Sequence, residues 1–148
     1  MPESADVPTD DILQTCAATH TRRAARTITR AYDQALAPCG LKVTQFTILV
    51  TLAQTDFGSI TAMADRLALE RSSLSRNLSR LEEQGYVRTD KEGRSRTIAI
   101  TAGGRKKLAE AYPLWRAAQE TVEDALGTNT WADVRALLRS LTTAGSAF

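Results

Sequence analysis

The stretch from Thr61 to Gln84, TAMADRLALERSSLSRNLSRLEEQ, constrains this chain most, because it places two short helical patterns side by side with almost nothing between them. Met63, Ala64 and Leu67 fall at i, i+1 and i+4, and Leu74, Leu78 and Leu81 at i, i+4 and i+7, so each segment has one apolar face. The pair reads as a helix-turn-helix. At about 100° per residue, Ser72, Arg76, Ser79 and Arg80 project opposite the leucine stripe, with Ser73 and Asn77 on a flank. A major groove requires such a face of donors and cations. Thr61 is a suitable N-cap for the first helix, and Gly85 a suitable stop for the second, since glycine tolerates positive φ at C′.

On an isolated helix a serine- and arginine-rich face is ordinarily just solvated. The residues that follow argue otherwise. Tyr86 to Asp90 and Thr97 to Ile100 are short β-prone runs around the cationic, glycine-containing loop Lys91 to Arg96. A helix-turn-helix followed at once by a basic hairpin is the plan of a winged helix, whose hairpin tip reaches a flanking minor groove.

Between Leu41 and Gly104 the chain resembles the multiple-antibiotic-resistance regulator family, winged-helix repressors of bacteria and archaea. The resemblance is carried by GLKVTQFTIL at 40 to 49, MADRL at 63 to 67, SSLSRNLSRLEEQGYV at 72 to 87, DKEGRSR at 90 to 96 and IAITAGG at 98 to 104. It implies a mainly α (α+β) winged helix-turn-helix fold with long terminal dimerisation helices, and it gives Arg94 the wing-tip role. One departure is Glu70, which stands where a Ser or Asp cap often opens the recognition helix. Outer-face position and resemblance together make Thr61, Ser72, Ser73, Arg76, Asn77, Arg80, Arg94 and Arg96 the expected DNA-binding residues.

Charge agrees. The whole chain carries a formal +2, but Arg71 to Lys107 holds ten Lys/Arg against four Asp/Glu, while all other residues hold nine against thirteen. Positive charge is concentrated on the candidate DNA-binding part, the footprint expected of a duplex binder. No apolar run approaches the roughly 20 residues that span a bilayer, and the first residues have no basic and apolar leader pattern, so a cytoplasmic protein without a membrane partner is expected.

Residues 1 to 8 read as a flexible leader and 9 to 148 as a single domain, in which 9–37 and 101–148 form dimerisation helices around a winged-helix part at 41–100. From Thr9 an acidic start leads into apolar residues at helical spacing as far as Leu36, the pattern of one helix about 40 Å long. The next helix, from about Thr44 to Gln54, would turn Phe46, Leu49, Val50 and Ala53 inward, and Ser59-Ile60 would add a short strand beside the wing. Thr101 can cap a further helix with a heptad-like seam of Leu108, Tyr112, Trp115, Gln119, Val122 and Leu126, kinked by Pro113. Gly127 to Thr130 breaks it before a last amphipathic helix with Trp131, Val134, Leu137, Leu138 and Leu141. The surplus apolar stripe suggests a two-fold homodimer, whose recognition helices would enter successive major grooves of a pseudo-palindromic operator.

The resemblance also implies an effector cleft between the dimerisation helices and the DNA-binding part, taking a small aromatic or anionic compound. Arg22, Arg26, Tyr32 and Trp115 are its candidate lining residues. Some relatives sense oxidants through a thiol near the start of the first helix, where Cys16 lies, so a thiol-based redox-sensing repressor is the alternative input. Against it, Val43 and Phe46 stand where the hydroperoxide-sensing branch has tyrosines, and a thiol without hydroxyl or cationic neighbours keeps its ordinary pKa. Cys16 and Cys39, near opposite ends of the first helix, should be about 30 Å apart, too far for a bridge. One histidine, no nucleophile motif, no phosphate loop and no metal-ligand spacing leave no basis for an enzyme, a metal or a cofactor. A winged helix used only as a protein-interaction module is the remaining alternative, and the positive surplus speaks against it.

Overall fold

The computed structural model describes residues 7 to 147, so most of the leader expected over residues 1 to 8 lies outside the described residues. The elements are α1 (Thr9–Thr15), α2 (Ala17–Leu36), a 3-10 turn (Ala37–Cys39), α3 (Val43–Gln54), α4 (Ile60–Leu67), α5 (Arg71–Glu83), β1 (Val87–Glu92), β2 (Ser95–Ile100), α6 (Ala102–Leu126) and α7 (Thr128–Gly145). The two strands pair antiparallel from Val87 opposite Ile100 to Glu92 opposite Ser95. This is a mainly α fold with a winged helix-turn-helix at its centre. No single helix among the described residues is long and apolar enough to cross a membrane.

The leucine stripe organises the core. Leu74, Leu78 and Leu81 of α5 are buried in one cluster with Met63 and Ala64 of α4, Phe46, Ile48, Leu49 and Leu52 of α3, Leu36 of α2 and Val87, Ile98 and Ile100 of the wing. Each such large side chain contributes about 1.5–3 kcal/mol through the apolar area it removes from water. Gly85 ends α5 with φ of 76°, as expected of a C′ glycine.

The first long helix is broken. Cys16 is extended (φ −65°, ψ 112°) between α1 and α2. The Thr15 hydroxyl donates to the Asp11 carbonyl at 2.8 Å, a local bond of the kind that bends helices. His20, as its Nε2–H tautomer, donates to the Gln14 carbonyl at 2.8 Å, satisfying an acceptor that the break would otherwise leave without a partner. The lone histidine thus has a structural task.

Other boundaries also move. On α3, Gln45, Ile48 and Leu52 are buried beside Phe46 and Leu49, while Val50 and Ala53 are half-buried; helices and a wing strand cover α3 on several sides, so its buried arc is wider than one stripe. Ser59 and Ile60 form no strand. Phe57 makes the single bridge to Ile98, and Ser59 caps α4 by accepting from the Ala62 N–H at 3.2 Å. Thr61, expected as that cap, lies inside the first turn, because a cap at Ser59 lets Ile60 enter the helix and pack against the core. The hairpin strands are longer than expected, leaving only Gly93 and Arg94 as the turn, with Gly93 at φ 60°. Arg96 is therefore in β2 opposite Lys91, not in a loop.

Thr101 caps α6 as expected, accepting from Gly104 N at 3.0 Å. The helix runs through Pro113 to Gly127, whose φ of 81° ends it, and α7 begins at once with Thr128. No described side chain of α7 is buried, and Leu137, Leu138 and Leu141 are exposed there, as are Leu126 at the end of α6 and Ile12, Leu13 and Ile28 on α1 and α2.

The start of α6 is pressed against the wing root. A Cβ at Gly104 would lie 2.1 Å from the Tyr86 carbonyl oxygen and 2.7 Å from Ile100 Cγ1, whereas one at Gly103 would come no nearer than 3.3 Å. Gly104→Ala is expected to destabilise the fold by about 1–3 kcal/mol or more, the cost of overpacking against backbone, and Gly103→Ala by much less. Urea unfolding midpoints of the two variants measure the difference.

Candidate nucleic-acid interface

Recognition-helix geometry follows from the leucines. With Leu74, Leu78 and Leu81 inward, Ser72, Arg76, Ser79 and Arg80 are exposed along one face of α5, and Ser73 and Asn77 are half-buried at its edge. Asn77 Nδ2 donates to the Ser73 carbonyl at 2.9 Å, so its amide is partly engaged by its own helix. The helix opens at Glu70 without a side-chain cap, leaving the first-turn N–H groups without that partner. Arg94 is exposed at the wing turn, and Arg96 is half-buried along β2. Thr61 is exposed on α4. Among the described residues, Arg76, Arg80, Arg94 and Arg96 make no ion pair, so their guanidinium groups are not neutralised within the chain.

Contacts far apart in sequence hold this face on its scaffold. Asp33 Oδ1 of α2 accepts from Val43 N at 2.8 Å, placing a carboxylate at the N-terminus of α3, where the helix dipole favours it. Lys107 of α6 donates to the Cys39 carbonyl at 3.2 Å, pairs with Glu110 at 2.7 Å and lies 5.6 Å from the Tyr86 ring centroid. Its pKa is raised, chiefly by the hydrogen bond to Glu110. The Thr101 hydroxyl donates to the Gly85 carbonyl at 2.6 Å. Glu82, in the last turn of α5, accepts from Thr89 N of the wing at 2.9 Å. Helical periodicity cannot register these residues, which act across elements.

The expected effector residues do not converge. Tyr32 is buried, with its hydroxyl donating to Gln119 Oε1 at 2.6 Å; burial, and then the Glu123 charge, raise its pKa. Trp115 stacks on Phe46 at a centroid distance of 5.9 Å and lines an open apolar cleft of about 420 Å³ with Phe46, Thr47, Val50, Leu108 and Tyr112. Arg22 borders a different groove, of about 600 Å³, with Ala17, Ala18, Thr21 and residues of α7. Arg26 lies in a shallow depression with Ala25, Thr29 and Arg30. Aromatic spacing on α6 marked Trp115, but nothing in it marked the contribution of α3.

Both cysteines are free, Cys16 half-buried and Cys39 buried with its thiol donating to the Leu36 carbonyl at 3.1 Å. Cys16 departs from expectation. It stands at the N-terminus of α2, and although it makes no side-chain cap bond, its pKa is lowered, first by the Thr19 hydroxyl, then by the Thr19 and Ala18 N–H groups, with Arg22 adding to the effect. The helix break supplies those donors, and a continuous helix would have hidden them.

The described geometry matches known regulators. The model of the IclR helix-turn-helix domain matches residues 46–91, from α3 into β1. A Bacillus cereus protein, an uncharacterised helix-turn-helix-type transcriptional regulator, is 27% identical over 84 residues, and the chain spans 57% of its length. The crystal structure of the M. tuberculosis transcriptional regulator MosR is 39% identical and superposes with a TM-score of 0.82, covering 92% of this chain and 99% of that one. A second MosR structure, in complex with DNA, gives 39% identity and a TM-score of 0.79 over 89% and 97% of the two chains. A MarR-family regulator from Rhodococcus sp. RHA1 shares the fold at 24% identity and a TM-score of 0.73, over 93% of this chain and 97% of that one. The chain belongs to the MarR family. It is a DNA-binding, winged helix-turn-helix transcription regulator.

The donors of Thr19 and Ala18 close to the sulfur favour its ionised form, so the Cys16 thiolate persists to lower pH than that of an ordinary thiol. The pH midpoint of Cys16 alkylation is expected below that of a model thiol, and Thr19→Val should move it upward. Mass-spectrometric alkylation rates of the two proteins across neutral and alkaline pH test this.

Proposed function

We propose that this MarR protein is a homodimeric, cytoplasmic repressor of a pseudo-palindromic duplex operator, released by a small aromatic effector. The observation that carries the reading is the exposed face of α5, where Ser72, Arg76 and Arg80 stand free beside a wing turn carrying Arg94. Arg76 suits bidentate donation to the O6 and N7 of guanine. Ser72, Ser73, Asn77 and Thr61 suit base or phosphate contacts near it. Arg94, with Arg96 behind it, suits the negative minor groove of an A·T flank.

Dimerisation is supported by the leucines that the chain leaves uncovered. Leu138 and Leu141 line both the groove against α2 and the outer face of α7, so a second copy would cover apolar surface continuous with the chain's own. Two recognition helices related by a two-fold axis would then meet successive major grooves about 34 Å apart. For the effector, the Phe46–Trp115 cleft has apolar walls and joins α3 to α6, so a ring inserted there would bear on the angle between the DNA-binding part and the terminal helices. Neither Arg22 nor Arg26 lines it, which favours an aromatic over an anionic ligand. The lowered pKa of Cys16 supports a second reading, in which an oxidised thiol at the break between α1 and α2 is the input.

Arg76→Ala is expected to cost about 1–3 kcal/mol on the operator and much less on scrambled duplex. Arg94→Ala should weaken both more evenly, and each lost phosphate-neutralising contact should lower the slope of log affinity against log salt by about one. Salt titrations on both duplexes separate the two roles; equal losses for Arg76→Ala would refute its assignment to base reading. Independently, Leu138→Glu should shift a wild-type dimer toward monomer in sedimentation velocity at micromolar concentration, since an unpaired carboxylate desolvated in an apolar seam costs several kcal/mol, on the order of 3 or more.

A further inference from the structure

The wing is held at a single rung from both sides. In the hairpin Thr89 lies opposite Ile98. The Ile98 N–H and carbonyl both bond to Phe57, at 2.7 and 3.0 Å, so they point away from β1. In an antiparallel ladder the residue opposite then points its own N–H and carbonyl outward as well. The Thr89 N–H is therefore an unpaired edge donor, and Glu82 Oε1 accepts from it at 2.9 Å. Phe57 grips one edge of the wing, and the recognition helix grips the other.

Beyond that rung the hairpin is a lever. Residues 90 to 95 are exposed, and Gly93 is about 14 Å from Thr89 at the rise of an extended strand. A tilt of about 10° at the rung would displace the Arg94 end by about 2.5 Å over that length, enough to lose a groove contact.

Glu82 is also a costly residue in its place. It is exposed in the last turn of α5, where the negative end of the helix dipole disfavours a carboxylate, and it lies on the helix that carries the DNA-reading face. If charge were its only property, removing it would strengthen DNA binding.

We infer that Glu82 is a positioning residue for DNA recognition: its carboxylate ties the last turn of the recognition helix to the outer edge of the wing and fixes the distance between the Arg76 face and the Arg94 tip. This rests on the operator-binding reading above. Glutamine keeps an acceptor oxygen at the same reach without the charge, and alanine removes both, so the two substitutions separate the roles.

The test compares the wild type, Glu82→Gln, Glu82→Ala, Arg94→Ala and the double variant Glu82→Ala/Arg94→Ala. The probe is a fluorescent duplex recovered by the wild-type protein from a random pool with fixed A·T flanks. Glu82→Gln is expected to bind at least as tightly as the wild type, and Glu82→Ala on the order of fivefold more weakly than Glu82→Gln, the lower end of what one groove contact contributes. In the Arg94→Ala background, adding Glu82→Ala should cost nothing further. In the free protein, the Thr89 amide should exchange faster in Glu82→Ala than in Glu82→Gln, a readout that needs no DNA. Equal or tighter binding by Glu82→Ala relative to Glu82→Gln, or an unchanged loss when Arg94 is absent, overturns the inference. A wild-type protein that recovers no duplex from the pool overturns the operator reading itself, whatever the amide exchange shows.

Discussion

Everything in this fold depends on the junction where α5 ends, the wing begins and α6 starts. Gly85 turns the chain with positive φ, Tyr86 donates to the Leu81 carbonyl and accepts from Thr101 N, and Thr101 ties its hydroxyl to Gly85 while capping α6. Gly104 lets the α6 backbone approach the Tyr86 carbonyl more closely than any side chain would permit. Lys107, one turn further, reaches the Tyr86 ring and the Cys39 carbonyl. A few residues thus join the recognition helix, the wing and the long helix that leads away from them.

The consequence is mechanical. Packed interiors transmit displacement because they have no free volume to absorb it. α6 touches the wing root at its start, stacks Trp115 on Phe46 in its middle and meets the buried Tyr32 hydroxyl at Gln119. Asp33 of α2 closes the circuit by capping α3. A change in the angle between the terminal helices and the winged part therefore meets a contiguous path of packed and hydrogen-bonded groups that leads to the exposed face of α5.

Much of this was legible in the order of residues. The leucine stripe of α5 set the inward face, and with it the outward serines and arginines, because one period decides both. Gly85 and Thr101 announced their boundaries through backbone chemistry that few other residues supply. The break at Cys16 was not legible, since apolar spacing continues across it and only the extended backbone of Cys16 and the His20 bond across it reveal it. Ser59 and Thr61 are both good caps, and only the packing of Ile60 chooses between them. Lys91, Glu92, Ser95 and Arg96 have no β preference to mark the outer ends of the strands; their pairing follows from the two-residue turn at Gly93. Asp33, Lys107 and Glu82 act between elements distant in sequence, although an acid in the last turn of α5 was a visible anomaly. The cleft beside Trp115 needed α3 and α6 brought together in space.

The bond from Tyr32 to Gln119 spans 87 residues. On a ribosome adding about 5–20 residues per second, Tyr32 emerges roughly 4 to 17 seconds before its acceptor exists. During that interval the segment from α3 to β2 can close its leucine core, while α2 must wait for α6 to cover it. Folding during synthesis can therefore run from the winged part outward, although α1 and α2 are made first, and the last helix made, α7, joins a scaffold already formed.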